Sequence, residues 1–135
     1  YRDQLEFMVD VDEEIMQNEI VKLVIQPLVE NAIYHGIKYL EHKGMIAIMG
    51  GRVGDRIHLV VQDNGVGMDK EVLNHILEPK APSVKSNRVG VYNVHHRLQL
   101  HYGTGYGLRY ESTLGIGTTV YVMIPAEEET AHGEA

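Results

Sequence analysis

Apolar and polar positions alternate near the start of the chain, where every second residue is large and apolar: Leu5, Phe7, Val9 and Val11. The residues between and after them are Glu6, Met8, Asp10 and Asp12. A period of two residues is typical of a strand with one buried face, so we predict a half-buried strand here.

Helices are predicted in three places: residues 18–39, 69–77 and 90–102. Pro27 falls inside the first of these segments. Because proline is tolerated in the first turn of a helix but not in its interior, we expect a break or fresh start near Pro27 and a helix from there to about Gly36. Asp69 is a suitable N-terminal cap for the second helix, and Gly103 is placed to end the third.

Two hairpins complete the pattern: residues 45–53 with 56–61, and residues 107–112 with 118–124. Gly54-Asp55 turns the first hairpin, residues 114–117 turn the second, and Pro125 stops the last strand. Helices and strands mixed without regular alternation indicate an α+β fold, in which helices cover one face of a sheet. We expect one domain over residues 1–125 and an acidic, frayed tail over residues 126–135.

Composition narrows the class of protein. With 135 residues and a mass of 15.2 kDa, the chain has the usual size of one domain. The absence of cysteine excludes a disulfide framework, a thiolate zinc site and a cysteine nucleophile. A net charge of -7 argues against nonspecific binding to nucleic acid, and no apolar run approaches the roughly 20 residues of a membrane span. The polar opening, residues 1–4, does not look like a secretory leader, and because the chain starts without Met we expect it to be part of a longer protein.

One face of the predicted helix after Pro27 carries polar side chains within an arc of about 140°. They are Glu30, Asn31, Tyr34, His35 and Lys38. An ordinary solvated helix face has this appearance. The alternative is a metal and phosphate site. Oxygens of Glu30 and Asn31 would bind Mg²⁺ there, and His35 and Lys38 would face phosphates.

A glycine-rich loop, residues 63–68, directly follows a valine-rich strand. Gly65 and Gly67 permit positive φ angles and the close approach of a flat ligand. Asp63 is placed to accept a hydrogen bond from an exocyclic amine such as that of adenine. The other interpretation is a plain glycine-rich turn that the Asp63 side chain stabilises.

Residues 78–89 contain two prolines and no apolar period, which predicts a long, mobile loop. Lys80, Lys85 and Arg88 make it basic, and it runs into Gly90 at the start of a predicted helix. Free N–H groups and the helix dipole bind anions at such a start, so the loop suits a lid over a triphosphate. A plain surface loop is the alternative.

Three segments occur in the order of a known family. Residues 27–36 (PLVENAIYHG) resemble the N box of sensor histidine kinases, residues 63–68 (DNGVGM) their first glycine box, and residues 90–98 (GVYNVHHRL) their second. Each box alone is a weak signal, but three in order with the expected strands and helices are specific. The segments at residues 26–31 (QPLVEN) and 100–103 (LHYG) are most similar to those of LytS/YesM-type bacterial kinases, and the resemblance spans residues 5–125.

The resemblance implies the GHKL, or Bergerat, ATP-binding fold. This is an α+β two-layer sandwich of about five mixed strands, covered on one face by about three helices. By position in the family's motifs, Asn31 would coordinate Mg²⁺ and Glu30 would be the catalytic acid/base or water-orienting residue. His35 and Lys38 would lie near the phosphates, and Asp63 would bind the adenine amine. The other implied ATP-binding positions are Gly65, Gly67, Met68, Lys85, Arg88, Gly90, Val91 and Thr118.

The chain departs from the family pattern in the second glycine box, where Arg88 replaces a glycine. An arginine restricts the backbone there, while its guanidinium can add a phosphate contact. Two alternatives therefore stay open beside the kinase interpretation. One is a degenerate module that senses nucleotide or docks a partner, and the other is a different GHKL enzyme, either an ATPase or a serine kinase.

The resemblance also implies protein histidine kinase activity with ATP and Mg²⁺. The γ-phosphoryl group would pass to a histidine on an upstream dimerisation domain, and from there to a response regulator. None of the eight histidines here matches that acceptor, so the chain alone should turn over ATP very slowly. The implied setting is a cytoplasmic domain of a homodimeric, membrane-anchored protein, with no nucleic acid as a partner.

Overall fold

The computed structural model describes residues 5–37, 40–78 and 89–126. Its strands are β1 (Leu5–Val11), β2 (Gly44–Val53), β3 (Arg56–Asp63), β4 (Gly107–Thr113) and β5 (Gly117–Pro125). Its helices are α1 (Glu13–Met16), α2 (Glu19–Asn31), α3 (Lys70–Asn74) and α4 (Val89–Tyr102), with a π-helix at Ala32–Ile37 continuing α2. No helix within these three ranges is long and apolar enough to cross a membrane.

The strands form one mixed sheet in the order β1-β2-β3-β5-β4, in which β1 is parallel to β2 and the other neighbours are antiparallel. Both predicted hairpins are confirmed, and Gly54 turns the first with a φ of 63°. The register brings Asp63, the last residue of β3, beside Ile46 on β2 and Thr118 on β5. Asp63 therefore lies at the end of a central strand and has a neighbouring strand on each side.

The hydrophobic core lies on one face of this sheet. Ile57, Leu59 and Val61 alternate along β3 and are at most 3% exposed, while the residues between them are exposed or half-buried. The helices contribute buried residues to the same core, including Leu28 from α2 and Val91 from α4. The predicted α+β two-layer architecture is confirmed. The described residues form two long helices and two short ones, where about three helices were expected.

The predicted break at Pro27 is wrong. Helix α2 begins after Asn18, whose side chain accepts hydrogen bonds from the N–H groups of Ile20 (2.8 Å) and Val21 (3.1 Å), and it runs through Pro27 to its end. Proline lacks the N–H that would bond the carbonyl of Leu23, one turn earlier. Leu23 is 66% exposed, so this lost bond lies on the solvent side, and burial of the opposite face holds the helix together.

Strand β1 is not half-buried as predicted. Residues 6–10 are exposed, with Phe7 at 48% and Val9 at 60%, and only Leu5 and Val11 at the two ends are partly covered. The strand lies at the edge of the sheet, whereas α1 packs against β2, and α2 packs against β3 and α4. The alternating pattern therefore identified the strand but not whether a helix covers it.

Capping residues set the predicted ends of α3 and α4. The Asp69 side chain accepts a hydrogen bond from the N–H of Val72 (2.9 Å) at the start of α3. Gly103 follows α4 with a φ of 114°, and its N–H donates to the carbonyl of Gln99 (2.8 Å). Helix α3 is shorter than predicted, because turns replace it over residues 75–77.

Two predictions fall largely on residues outside the described ranges. These are the mobile loop, apart from its end residues, and the acidic tail after Ala126. Ala126, which we assigned to the tail, is 9% exposed, and its N–H donates to the carbonyl of Asp55 at 2.8 Å. Backbone hydrogen bonding thus continues one residue past the predicted domain boundary.

Candidate functional site

A small cavity lies between the π-helix and the sheet, at the carboxyl end of β3. Its walls come from the end of α2 with the π-helix, the end of β3, the glycine loop (residues 64–68) and strands β4 and β5. Six of the predicted site residues line this cavity: Asn31, His35, Asp63, Gly67, Met68 and Thr118. The fold therefore brings the N box, the first glycine box and the last strand to one place.

The other candidate residues lie elsewhere. Glu30 is exposed on α2, where its carboxylate accepts a hydrogen bond from Nε2 of Gln26 at 3.1 Å. Gly65 belongs to the glycine loop but does not line the cavity. Gly90 lies in the first turn of α4, and the side chain of Val91 is fully buried in the hydrophobic core. The candidates outside the described residues are Lys38, Lys85 and Arg88.

Asp63 is the only charged residue that is buried within the described ranges, with 8% of its surface exposed. Its Oδ1 accepts a hydrogen bond from the N–H of Gly65 at 2.7 Å, and the backbone N–H of Thr118 also donates to the carboxylate. Burial raises the pKa of Asp63 to about 6, against the lowering effect of these two hydrogen bonds. At pH 7 the carboxylate is therefore mostly ionised and presents a strong acceptor to the cavity.

The predicted polar helix face divides in two. Asn31 and His35 are half-buried and line the cavity, whereas Glu30 and Tyr34 are exposed. From Ala32 onward the helix is a π-helix, so successive side chains advance by less than the 100° of an α-helix. Oδ1 of Asn31 is buried and has no hydrogen-bond partner among the described residues, which leaves an amide oxygen available to a ligand.

The glycine loop is pressed between the π-helix and the β4–β5 turn. The N–H of Val66 donates to the carbonyl of Gly36 (3.0 Å), and the N–H of Gly115 donates to the carbonyl of Val66 (2.7 Å). A Cβ on Gly65 would overlap the backbone of Gly36, and a Cβ on Gly67, whose φ is 74°, would overlap the backbone of β4. Packing against the protein's own backbone therefore requires both glycines, a reason that the sequence did not reveal.

Six further residues line the cavity, and two of them, Gly36 and Tyr110, come close to the predicted site residues or add a polar group but were not predicted. A Cβ on Gly36 would come within 3.0 Å of Oδ1 of Asp63, so a larger residue would crowd the carboxylate. Its place at the end of the N box was a usable signal. Tyr110 is half-buried on β4 opposite Val120, and only the pairing of β4 with β5 brings it to the cavity.

The cavity encloses about 20 Å³, which is room for about one water molecule. Pockets that hold drug-sized ligands typically measure about 300–1,000 Å³. A nucleotide base therefore enters this cavity only if the glycine loop, the π-helix and the strand ends move apart.

A helix-covered mixed sheet, with a buried aspartate and a glycine loop at the end of a central strand, is the arrangement expected of a GHKL domain. The family of histidine kinase-, DNA gyrase B-, and HSP90-like ATPases matches residues 16–128. The chain therefore belongs to this family, whose domains bind ATP.

Two sensor histidine kinases are similar to nearly the whole chain. YpdA of Escherichia coli (strain K12) is 37% identical over 135 residues, which cover 100% of this chain and 23% of that protein. YesM of Bacillus subtilis (strain 168) is 32% identical over 129 residues, which cover 96% of this chain and 21% of that protein. The chain thus spans less than a quarter of the length of these relatives.

Solved structures share the fold. The catalytic domain of the histidine kinase ThkA matches with a TM-score of 0.71 and 19% identity, over 93% of this chain and 82% of that chain. The histidine kinase domain of the blue-light activated histidine kinase from Erythrobacter litoralis EL346 matches with a TM-score of 0.64 and 18% identity, over 94% and 54%. These likenesses confirm the fold class implied by the sequence boxes.

The raised pKa of Asp63 predicts a pH-dependent stability. The folded state binds the proton of the Asp63 carboxyl group more tightly than the unfolded state does. Protonation of Asp63 therefore stabilises the fold fully below about pH 4, and this stabilisation is lost as the pH rises through about 6. The loss should be about 3 kcal/mol at most. We expect Asp63→Asn to remove this decline, as measured by urea unfolding from pH 4 to pH 8.

Asp55→Asn is the matched control, because Asp55 is exposed in the β2–β3 turn. It should keep the decline seen in the unaltered chain. Equal pH dependence in the unaltered chain and in Asp63→Asn would contradict the assignment of the proton to Asp63.

Gly65→Ala should destabilise the fold, because the new methyl group would overlap the backbone of Gly36. We expect a loss of about 1–3 kcal/mol in the free energy of unfolding, as for other overpacked sites. Gly105→Ala is the control, since a Cβ at Gly105 meets nothing within 4 Å and its φ is not positive. Similar losses in both variants, measured in urea, would show that contact with Gly36 is not the cause.

Proposed function

We propose that this chain is the ATP-binding catalytic domain of a sensor histidine kinase. The observation that carries the proposal is the meeting of the N box, the first glycine box and the last strand around the buried carboxylate of Asp63. Membership of the ATPase family and the similarity to two sensor histidine kinases support it.

Asp63 would recognise adenine. Its carboxylate is mostly ionised at pH 7, lies at the cavity wall and is held by the N–H groups of Gly65 and Thr118. A hydrogen bond between an exocyclic amine and a charged acceptor contributes about 1.5–3 kcal/mol. Where water is excluded, such a bond also increases the selectivity for bases that carry the amine over bases that lack it. The apolar neighbours of the carboxylate, including Val61 and Val120, would pack against the faces of the base.

Asn31 would bind Mg²⁺ through Oδ1, the buried amide oxygen that has no hydrogen-bond partner in the described residues. These residues contain no cluster of three or more histidine and carboxylate side chains able to hold a metal ion. That suits Mg²⁺, which usually takes one or two protein oxygens together with substrate phosphates. The bound ion would neutralise charge on the phosphates.

His35 lies on the same cavity wall as Asn31 and would contact the phosphates. Lys38, Lys85, Arg88, Gly90 and the backbone of Val91 would complete the phosphate site. Most of these groups are cations or backbone N–H groups, as phosphoryl transfer requires, because catalysis of this reaction is mainly positioning and charge stabilisation.

Glu30 would act on the incoming acceptor. It is adjacent to Asn31 but faces solvent, where a histidine from another domain can approach it. The hydrogen bond from Gln26 holds its carboxylate in place. Glu30 would orient the acceptor imidazole or take its proton as the γ-phosphoryl group is transferred.

The remaining parts of the reaction would lie in the rest of the protein. We infer an upstream dimerisation domain that carries the acceptor histidine, a homodimeric and membrane-anchored whole protein, and a response regulator that receives the phosphoryl group. The ATP-binding domain would face the cytoplasm, and without its acceptor it would turn over ATP very slowly.

Calorimetric titration of the chain with ATP and Mg²⁺ at pH 7.5 tests the binding site. We expect micromolar to sub-millimolar affinity, and about 10- to 100-fold weaker binding by Asp63→Asn, which loses the charged acceptor. Asp55→Asn, the exposed control, should bind like the unaltered chain. Absence of binding by the unaltered chain would overturn the proposed function.

Glu30→Gln in the whole protein tests the catalytic assignment. Because Glu30 lies outside the cavity, we expect ATP affinity within about twofold of the unaltered protein but autophosphorylation slower by about 10²- to 10⁴-fold. Glu19→Gln, a change at another exposed glutamate in the first turn of α2, should alter neither quantity. A loss of affinity as large as the loss of rate would assign Glu30 to binding instead.

A further inference from the structure

The glycine loop has one hydrogen bond to a side chain from a distant strand. Its contacts with Gly36 and Gly115 are between backbone groups. By contrast, the N–H of Met68 donates to Oγ of Ser112 on β4, at 2.8 Å and 44 residues away along the chain. A substitution can remove this bond without changing the backbone, whereas the bonds to Gly36 and Gly115 depend on the chain path alone.

The hydroxyl of Ser112 makes two more contacts. Its Oγ lies 3.0 Å from the carbonyl oxygen of Gly117, to which it donates, and 2.7 Å from Oγ1 of Thr118. A hydroxyl group has one proton and two lone pairs. Donation to Gly117 with acceptance from Met68 and from the Thr118 hydroxyl uses all three, so the group is fully satisfied.

These contacts join two segments that line the cavity, the glycine loop and β5. Met68 and Thr118 both line it, and Met68 is 8% exposed. The backbone N–H of Thr118 also donates to the carboxylate of Asp63. Ser112 itself does not line this cavity, but its hydroxyl is hydrogen-bonded to one residue from each of the two segments.

We infer that Ser112 is a positioning residue for the nucleotide. Its hydroxyl holds Met68 of the glycine loop against Thr118, and through Thr118 it sets the place of the Asp63 carboxylate that faces the base. This role deepens the proposed function and rests on it.

A purely structural role for Ser112 makes a different prediction. If the hydroxyl only stabilised the β4–β5 hairpin, its loss would lower global stability and leave the folded cavity unchanged. If it positions the glycine loop, its loss leaves the N–H of Met68 without its acceptor in a buried place, and the loop shifts in the folded protein.

The test compares Ser112→Ala with Ser112→Thr, which keeps a hydroxyl, and with Thr113→Ala. Thr113 is the exposed neighbour of Ser112 on the other face of β4 and does not line the small cavity, so this variant removes a nearby hydroxyl from outside that cavity. Affinity for Mg²⁺ and ADP is measured by calorimetry. We expect about 5- to 100-fold weaker binding by Ser112→Ala, with Ser112→Thr restoring most of it and Thr113→Ala unchanged.

A second measurement does not use nucleotide. Hydrogen exchange of the Met68 amide, followed by NMR in the chain alone, should be at least about tenfold faster in Ser112→Ala, while amides of the core strands exchange as before. If Ser112→Ala fails to fold, Ser112→Cys keeps the size with a weaker hydrogen-bonding group and should show the same effects to a smaller extent.

The outcomes separate the two proposals. Binding by the unaltered chain with equal binding by Ser112→Ala overturns the role of Ser112 alone, as does unchanged exchange of the Met68 amide. Weaker binding that Ser112→Thr does not restore at all also overturns it. Absence of binding by the unaltered chain overturns the proposed function, and the role of Ser112 with it.

Discussion

The burial of one carboxylate determines how this site is built. Asp63 ends a central strand, and Gly36 comes so close that any side chain there would crowd Oδ1. The two backbone N–H groups that stabilise the charge come from Gly65 and Thr118. The π-helix, the glycine loop and the start of β5 must therefore all meet at one point, or the charge would be buried without partners at a cost of several kcal/mol.

This arrangement favours recognition over stability. Burial outweighs the two hydrogen bonds and raises the pKa of Asp63 to about 6, so at neutral pH the fold holds a charge that it would be more stable without. A local arrangement that opposes stability is what a binding site for a polar ligand requires. An amine on the ligand would supply a further donor to the carboxylate.

The helix that carries the N box directs some of its polar side chains into the cavity and others to solvent. Asn31 and His35 turn inward beside Asp63, while Glu30 faces solvent one residue away. The change from α-helix to π-helix at Ala32 contributes to this division, because it alters the direction of the side chains that follow. In the proposed function the inner residues hold the nucleotide and Glu30 meets a group that comes from outside the domain. In that function the site would bind ATP alone but would transfer a phosphoryl group only when the domain carrying the acceptor histidine docks.

Local patterns were sufficient for much of this protein. Turn glycines, capping residues and alternating apolar positions act over a few residues. The sequence alone was therefore enough to predict the hairpins and the helix caps at Asp69 and Gly103, and to recognise the three boxes. Only the tertiary structure decided the rest. Helix α2 passes Pro27 because its opposite face is buried, and Phe7 and Val9 are exposed because none of the described helices packs against the edge strand. Gly65 must be a glycine, and Ser112 reaches Met68, through contacts between segments far apart in the chain. Such contacts depend on strand register and on how one element packs against another, and no short stretch of sequence encodes either.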